Sequence, residues 1–181
     1  MMTARRIAAV AGSVVLMCLM AGCQVATTAT DGSGRQNGQI GTVARVIDGD
    51  TVDVTIDGRA ERVRLVGLNA PGISHDGHRA DCHGHASAAR ARAQLAGQVV
   101  TVQADPSQPE TDKYGRRLAY LKLDSRDVGT ELIRDGAAVV YTYDRAYPFT
   151  RRDAYQRAQD DARTHGRGLW SSSTCAGDFD R

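Results

Sequence analysis

The sequence has no internal repeat, and its N-terminal apolar stretch, residues 7–20, is too short for a confident membrane span. Only two of its 23 basic residues are lysines, so arginine is its ordinary cation. The formal net charge is +2, and residues 1–22 supply two arginines and no acid, which leaves a net charge of 0 for the remainder. Net charge therefore gives no support for nucleic-acid binding, and any attraction to phosphate must come from local clustering.

The first residues indicate export. Arg5 and Arg6 precede the apolar stretch, which ends at Ala21-Gly22-Cys23, an order that resembles a bacterial lipoprotein signal. We expect residues 1–22 to be a signal peptide and Cys23 to be lipidated, which tethers an exported protein to the outside of the cell membrane. An uncleaved anchor or an ordinary secretory signal is the alternative. Residues 23–37 are poor in large apolar side chains and predict a flexible tether, followed by one domain over 38–175 and a tail over 176–181.

The four cysteines separate by position. Cys18 would leave with the signal peptide and Cys23 would carry the lipid. Cys82 and Cys175 remain, and outside the cytoplasm we expect them to form a disulfide, with two free thiols as the alternative.

Short alternating segments predict a β-rich domain. The segments 39–46, 51–56, 61–68, 98–104 and 118–123 have the pattern of strands, and Asp57-Gly58 is a hairpin signal. Three further segments, 86–95, 128–134 and 151–164, predict helices. Five short strands with about three helices favour a small closed β-barrel of the OB-fold class, with helices packed beside it.

Five motifs then occur in a fixed order. They are VIDGDTVDV (46–54), RVRLVGLNAP (62–71), TDKYGRRLAYL (111–121), LIRDGAAVVYTY (132–143) and GRGLW (166–170). Together they resemble the staphylococcal nuclease (thermonuclease) family over nearly all of residues 40–170. That resemblance implies an OB-fold, calcium-dependent phosphodiesterase (an endonuclease) acting on DNA and RNA.

The resemblance also implies roles for single residues. Asp50 would be a calcium ligand, assisted by Asn69 and by the backbone carbonyl of Ala70, with Asp48 structural. Arg64 and Arg116 would grip the phosphate and stabilise its transition state, as paired guanidiniums can.

Aromatic side chains beside those arginines complete the expected substrate site. Lys113, Tyr114 and Tyr141 would contact the nucleotide, which suits stacking on the unpaired bases of single-stranded DNA or RNA. Tyr143 is expected to pack in the fold. Arg62 and Arg117 are expected to be surface charges.

Two positions depart from the family pattern. Asn69 stands where the family has an aspartate that binds calcium, and Gly72 stands where it has a glutamate that orients or deprotonates the attacking water. We expect weaker calcium binding, and a missing base costs about 10²–10⁴ in rate. Asp76, Asp81 or a loop histidine is a candidate replacement for that base.

Two further alternatives remain open, and the first concerns the histidine-rich loop, the segment that carries His75, His78 and His83 before the predicted helix. The four histidines His75, His78, His83 and His85, with Asp76 and Asp81, could bind Zn²⁺ or Cu²⁺, although no spacing matches a standard zinc motif. The barrel could also be a catalytically inactive nucleic-acid-binding lipoprotein. The favoured expectation is a monomeric, lipid-anchored, metal-dependent nuclease.

Overall fold

A computed structural model describes residues 38–74, 77 and 79–178 of the chain. The described strands are β1 Gln39–Val46, β2 Thr51–Ile56, β3 Arg59–Leu65, β4 Leu68–Asn69, β5 Val99–Gln103, β6 Arg117–Leu123, β7 Arg126–Asp127 and β8 Val139–Val140. The described α-helices are α1 Gly84–Leu95, α2 Val128–Arg134 and α3 Arg152–Thr164, and a single 3₁₀ turn spans Gly168–Trp170.

Five of the strands close into a barrel. They pair in the order β3-β2-β1-β5-β6, antiparallel throughout, and a parallel pairing of β3 with β6 joins the two ends. In that pairing Val63 lies opposite Arg117, and Leu65 opposite Ala119. The predicted five-stranded barrel with three helices is confirmed.

The β2–β3 hairpin shows why the local sequence folds this way. Asp57 and Gly58 both have positive φ, +50° and +76°, as a tight two-residue hairpin turn requires. Val54 and Val63 point into the barrel and are fully buried, so the alternating segments place one apolar face inside. This register fixes the opposite face of β3, where Arg62 and Arg64 lie.

Helices α1 and α2 pack against barrel strands, and α3 packs against α2. The side chain of Asp127 caps α2 by accepting a hydrogen bond from the Thr130 N–H at 2.7 Å. Tyr155 of α3 is buried, and a Cβ at Gly129 would lie 2.1 Å from its hydroxyl oxygen, so α2 and α3 are in close contact. Helix α2 has the predicted bounds, while α1 begins two residues and α3 one residue away from the predicted starts.

The predicted third strand, 61–68, is broken in the structure. Gly67 has a φ of +83°, and a Cβ there would lie 2.4 Å from the Phe149 ring, so this position needs glycine. The chain turns at Gly67, and Asn69 then pairs with Val139 in a separate two-stranded sheet. This turn carries Asn69 away from the barrel wall.

Arg117 is not a surface charge, so that prediction is wrong. Its side chain is buried, donating to Glu61 Oε2 at 2.8 Å and to Gln39 Oε1 at 2.7 Å. The partners come from two different strands, β3 and β1, both far from Arg117 in the sequence.

Cys82 and Cys175 are joined by a disulfide, as the sequence predicted, with a Cα–Cα distance of 5.8 Å. The bond ties the segment before α1 to a buried residue near the C-terminus. The predicted signal peptide and tether, including Cys23, lie outside the described residues, as do residues 179–181 of the tail. In the part of the chain that is described, no helix is long and apolar enough to cross a membrane.

Candidate active site

In the turn between β1 and β2, the Asp50 side chain points inward and the Asp48 side chain stabilises the turn. The Asp50 N–H donates to Asp48 Oδ1 at 2.9 Å, so Asp48 stabilises the turn itself. A Cβ at Gly49 would lie 2.4 Å from the Ala70 Cβ, which explains the glycine between the two acids. The Asp50 side chain is consequently held inside the protein, with 6% of the residue exposed.

Three groups surround the Asp50 carboxylate. Oδ1 lies 2.9 Å from the Thr51 hydroxyl and 3.0 Å from Arg64 Nε, and Oδ2 accepts the Ala70 N–H at 2.8 Å. Burial raises the pKa of Asp50 to about 6, against the opposing charge of Arg64. The site thus holds a buried carboxylate that favours additional positive charge.

The guanidinium of Arg64 joins the two side chains predicted to bind metal. Besides Asp50, it donates to Asn69 Oδ1 at 3.1 Å. Nη1 also donates to the carbonyls of Leu65 at 2.7 Å and Leu68 at 2.8 Å, which fixes the orientation of the group. Asp50, Arg64 and Asn69 therefore form one contiguous polar cluster, with Ala70 attached through its backbone.

A groove of about 450 Å³ opens beside this cluster. It is lined by most of the predicted catalytic and substrate-binding residues: Arg64, Asn69, Lys113, Tyr114, Arg116 and Tyr141. Asp50 and Ala70 do not line it and connect to it through Arg64. The structure thus brings segments from three distant parts of the chain to one surface.

Arg116 is positioned at the groove by a neighbouring acid. Its Nε donates to Asp112 Oδ2 at 2.7 Å, and its N–H donates to Asp112 Oδ1 at 2.9 Å. Burial alone would raise the pKa of Asp112, but the hydrogen bonds from Arg116 outweigh it and hold that pKa below its usual value. The Arg116 guanidinium also lies 5.4 Å from the centre of the Tyr114 ring.

The tyrosines of the groove face solvent. Tyr114 is 71% exposed, Tyr141 46% and Tyr143 79%. Tyr143 also lines the groove, so the expectation that it packs in the fold is wrong. The signal available in the sequence was its spacing, since Tyr143 stands only two residues after Tyr141, which was expected to contact the nucleotide.

Comparison with known proteins identifies this architecture. Residues 62–172 match the family model described as staphylococcal nuclease homologue. The chain is 30% identical over 141 residues to a thermonuclease of Staphylococcus hyicus, covering 78% of this chain and 81% of that protein. The chain belongs to the staphylococcal nuclease family. It is also 34% identical over 134 residues to an uncharacterized endonuclease of Escherichia coli O157:H7, covering 74% of this chain and 78% of that protein.

Membership of the staphylococcal nuclease family confirms the predicted enzyme class, a phosphodiesterase of the thermonuclease type. A second staphylococcal thermonuclease, from Staphylococcus intermedius, is 33% identical over 132 residues, 71% of this chain and 74% of that protein. The roles of individual residues stay predictions, because the comparisons concern the whole domain.

The predicted ligand set fits a hard divalent cation better than zinc. Asp50 and Asn69 present oxygen atoms to the same guanidinium, at 3.0 and 3.1 Å, and Ala70 adds backbone next to them. Oxygen donors of this kind suit Ca²⁺ or Mg²⁺. Only one of these two side chains carries a full negative charge, and weak calcium binding stays a prediction.

The histidine-rich loop is described only in part. His75, Asp76 and His78 lie outside the described residues. His83 is half-buried, which lowers its pKa, and His85 is exposed in the first turn of α1. Among the residues the structure does describe, no group of three or more histidine, cysteine, aspartate or glutamate side chains could hold a metal. A transition-metal site in this loop stays a prediction.

Proposed function

We propose that the protein is an exported, lipid-anchored, metal-dependent nuclease that hydrolyses phosphodiester bonds in single-stranded or frayed DNA and RNA. The observation that carries this proposal is the shared groove, in which Arg64 and Arg116 lie at one surface beside exposed tyrosines. Two arginines on one phosphate can bind it through paired hydrogen bonds and stabilise the charge that develops during hydrolysis.

The charge of the groove supports a phosphate ligand although the domain is nearly neutral. Its charged lining residues are three cations, Arg64, Lys113 and Arg116, against a single acid, Asp112. This clustering supplies the local attraction that net charge does not. Binding of a nucleic acid in the groove should be sensitive to salt, because screening weakens contacts with phosphate.

The exposed tyrosines favour unpaired bases. Tyr114 and Tyr141 border the same groove as the two arginines, so a base can stack while its phosphate is held. Bases in an intact duplex are already stacked and would have to be displaced first. Single strands and frayed ends are therefore the expected substrates.

A divalent cation would be held by Asp50, Asn69 and the Ala70 carbonyl. When bound there, it would neutralise charge on the phosphate. The chain's own residues bind and orient: Arg64 holds Asp50 and Asn69 together, and Arg116 faces the groove from the opposite segment. Asn69 in place of a carboxylate predicts a requirement for a high calcium concentration.

Export and lipid anchoring rest on the N-terminal sequence. The disulfide between Cys82 and Cys175 supports an oxidising compartment outside the cytoplasm, where such bonds persist. Labelling with a radioactive fatty acid tests the anchor: label should appear in the native protein and be lost with Cys23→Ala.

A cleavage assay tests the enzymatic proposal. The oxidised, purified protein is incubated with labelled single-stranded DNA and RNA in Ca²⁺, Mn²⁺, Zn²⁺ or excess EDTA. Metal-dependent cleavage should be lost in Arg64→Ala and Arg116→Ala. Arg62→Ala is the matched control, because Arg62 lies two residues away on the same strand and pairs only with Asp53 among the described residues. It should retain activity.

The alternative function, nucleic-acid binding without hydrolysis, is favoured by Asn69 and Gly72 standing where the family has carboxylates. Binding at low salt with no cleavage in any metal would establish it. Cleavage that persists in Arg64→Ala would indicate a contaminating nuclease and contradict the proposal.

A further inference from the structure

A carboxylate from elsewhere in the loop lies where a side chain at position 72 would begin. The Gly72 N–H donates to Asp81 Oδ2 at 2.7 Å, and the Asp81 N–H donates to the Gly72 carbonyl at 3.0 Å. A Cβ built on Gly72 would lie 3.1 Å from Asp81 Oδ2 and 3.8 Å from its Cγ. Asp81 therefore stands beside the position from which the family's glutamate would extend.

The backbone around Asp81 is held from both sides. The Gly84 N–H donates to the Asp81 carbonyl at 3.0 Å, and a Cβ at Gly84 would lie 2.0 Å from the Gly72 carbonyl oxygen. The next residue, Cys82, is bonded to the buried Cys175. The Asp81 side chain is thus presented by a fixed backbone, which is what a positioned catalytic group requires.

Asp81 is also linked to the polar cluster through a short stretch of backbone. Ala70, whose N–H binds the Asp50 carboxylate at 2.8 Å, lies two residues before Gly72, and two residues of chain span at most about 7 Å. Asp81 is half-buried, and the only hydrogen bond to its carboxylate among the described residues comes from Gly72, at Oδ2. No described residue donates to the other carboxylate oxygen, Oδ1, which can accept a hydrogen bond from a water molecule.

We propose that Asp81 replaces the carboxylate that Gly72 lacks and acts as the general base of the reaction, an inference that rests on the proposed nuclease function. In this step a water oxygen forms a bond to phosphorus and its proton passes to Asp81. The phosphorus–ester oxygen bond breaks, and the leaving oxygen takes a proton from bulk water. Asp81 then releases its proton to solvent, so one water is consumed per bond cleaved.

The substitution Asp81→Asn separates chemistry from structure. The amide oxygen can still accept the Gly72 N–H, so the loop contact is retained, but an amide cannot take a proton. We expect kcat to fall about 10²–10⁴-fold with KM changed less than about twofold. The thermal unfolding midpoint, and the affinity for labelled single-stranded DNA in EDTA, should match those of the wild-type protein.

A double variant places a new carboxylate at position 72 after the one at Asp81 has been removed. Gly72 does not have a positive φ, and the nearest obstacle to a new side chain is the flexible end of Asp81 itself. Asp81→Asn with Gly72→Glu should therefore recover at least about tenfold of the lost kcat, which a purely structural role for Asp81 would not produce. Asp57→Asn, at the exposed hairpin turn, is the control that removes an acid without effect.

Asp81→Asn and a single Gly72→Glu variant distinguish failure of this inference from failure of the proposed function. Unchanged kcat in Asp81→Asn would overturn the role of Asp81 and leave the nuclease intact. An inactive wild type with an active Gly72→Glu variant would also overturn it, since the native chain would then lack a base while the arginines function. Inactivity in both would contradict the nuclease function, and the inference with it.

Discussion

Asp105 offers a quantitative test of how the tyrosine-bearing wall of the groove is held in place. The residue is 3% exposed and receives five hydrogen bonds. Two come from Ser107, through its N–H and hydroxyl at 2.8 Å each, two from Thr150, through its N–H at 2.7 Å and its hydroxyl at 3.1 Å, and one from the Tyr120 hydroxyl. Thr150 ends the segment that carries Tyr141 and Tyr143, so this acid anchors that segment to the barrel.

Asp105→Asn should destabilise the fold by about 2 kcal/mol. The amide keeps one accepting oxygen but turns an NH₂ group towards donors, and a hydrogen bond to a charged group contributes about 1.5–3 kcal/mol. Ser107 is exposed and can turn to water, so the loss should not exceed the contribution of about one such bond. For a domain of this size the unfolding midpoint should fall by roughly 4–8 °C at pH 7.

The destabilisation should depend on pH in a defined direction. Burial would raise the pKa of Asp105, but its hydrogen bonds from Tyr120 and the neighbouring residues outweigh burial and lower it. A carboxyl whose pKa is lower in the folded state stabilises the fold above its unfolded value of about 3.9, and this stabilisation is lost as the pH falls through the folded pKa. Calorimetry of both proteins between pH 7 and pH 3 should therefore show a difference that is full at pH 6–7 and shrinks below about pH 4. A difference that stays constant over that range would refute the reasoning.

Three further outcomes can be checked directly. Cys82→Ser should lower the free energy of unfolding by up to about 4–5 kcal/mol, because the disulfide closes a loop of 93 residues; a chemical denaturation curve with unchanged midpoint would contradict this. Asn69→Asp should lower the calcium concentration required for half-maximal cleavage by at least about tenfold, since it adds a charged ligand. Asn69→Ser is the control, because it removes the amide without adding a charge. Tyr114→Ala should weaken single-stranded DNA binding by about 5–150-fold, which is the contribution of one stacked base. Tyr147 is exposed but does not line the groove, so Tyr147→Ala should leave the affinity unchanged. Equal losses of affinity for the two variants in a fluorescence titration would argue against stacking in the groove.

The parts of the fold that depend on neighbouring residues were predictable from the sequence. The Asp57-Gly58 turn fixes its hairpin through two consecutive positive φ values, and the capping of α2 by Asp127 is a local interaction. The break at Gly67 was not predictable, because the ring that fills the space of a side chain there belongs to Phe149, more than 80 positions later. The burial of Arg117 was missed for the same reason, since its partner Glu61 is 56 residues away.

The candidate site was likewise predictable only in part. The motif order predicted that Asp50, Arg64 and Asn69 lie together, and the structure joins them through one guanidinium. No sequence pattern indicates which residue of a loop faces Gly72, because closure of that loop depends on contacts between its two ends. Asp81 was one of several candidates for the base, and the hydrogen bond from Gly72 separates it from the other described candidates.

The pairing of Gly72 with Asp81 leads to a final prediction about a single substitution. A glutamate at position 72 would begin 3.1 Å from the Asp81 carboxylate oxygen, so Gly72→Glu alone places two acids in one small space. Two carboxylates in so small a space repel each other, which raises the pKa of one of the two acids in this variant and favours its protonated form. Gly72→Glu should therefore raise kcat little, less than about threefold, in the native background, while giving its full rescue in Asp81→Asn. The pH–rate profile of the single variant should acquire an additional ionisation above that of the wild type. Equal gains in kcat from Gly72→Glu in both backgrounds would mean that the two carboxylates do not occupy the same position in the site. Asp81 would then serve only to close the loop.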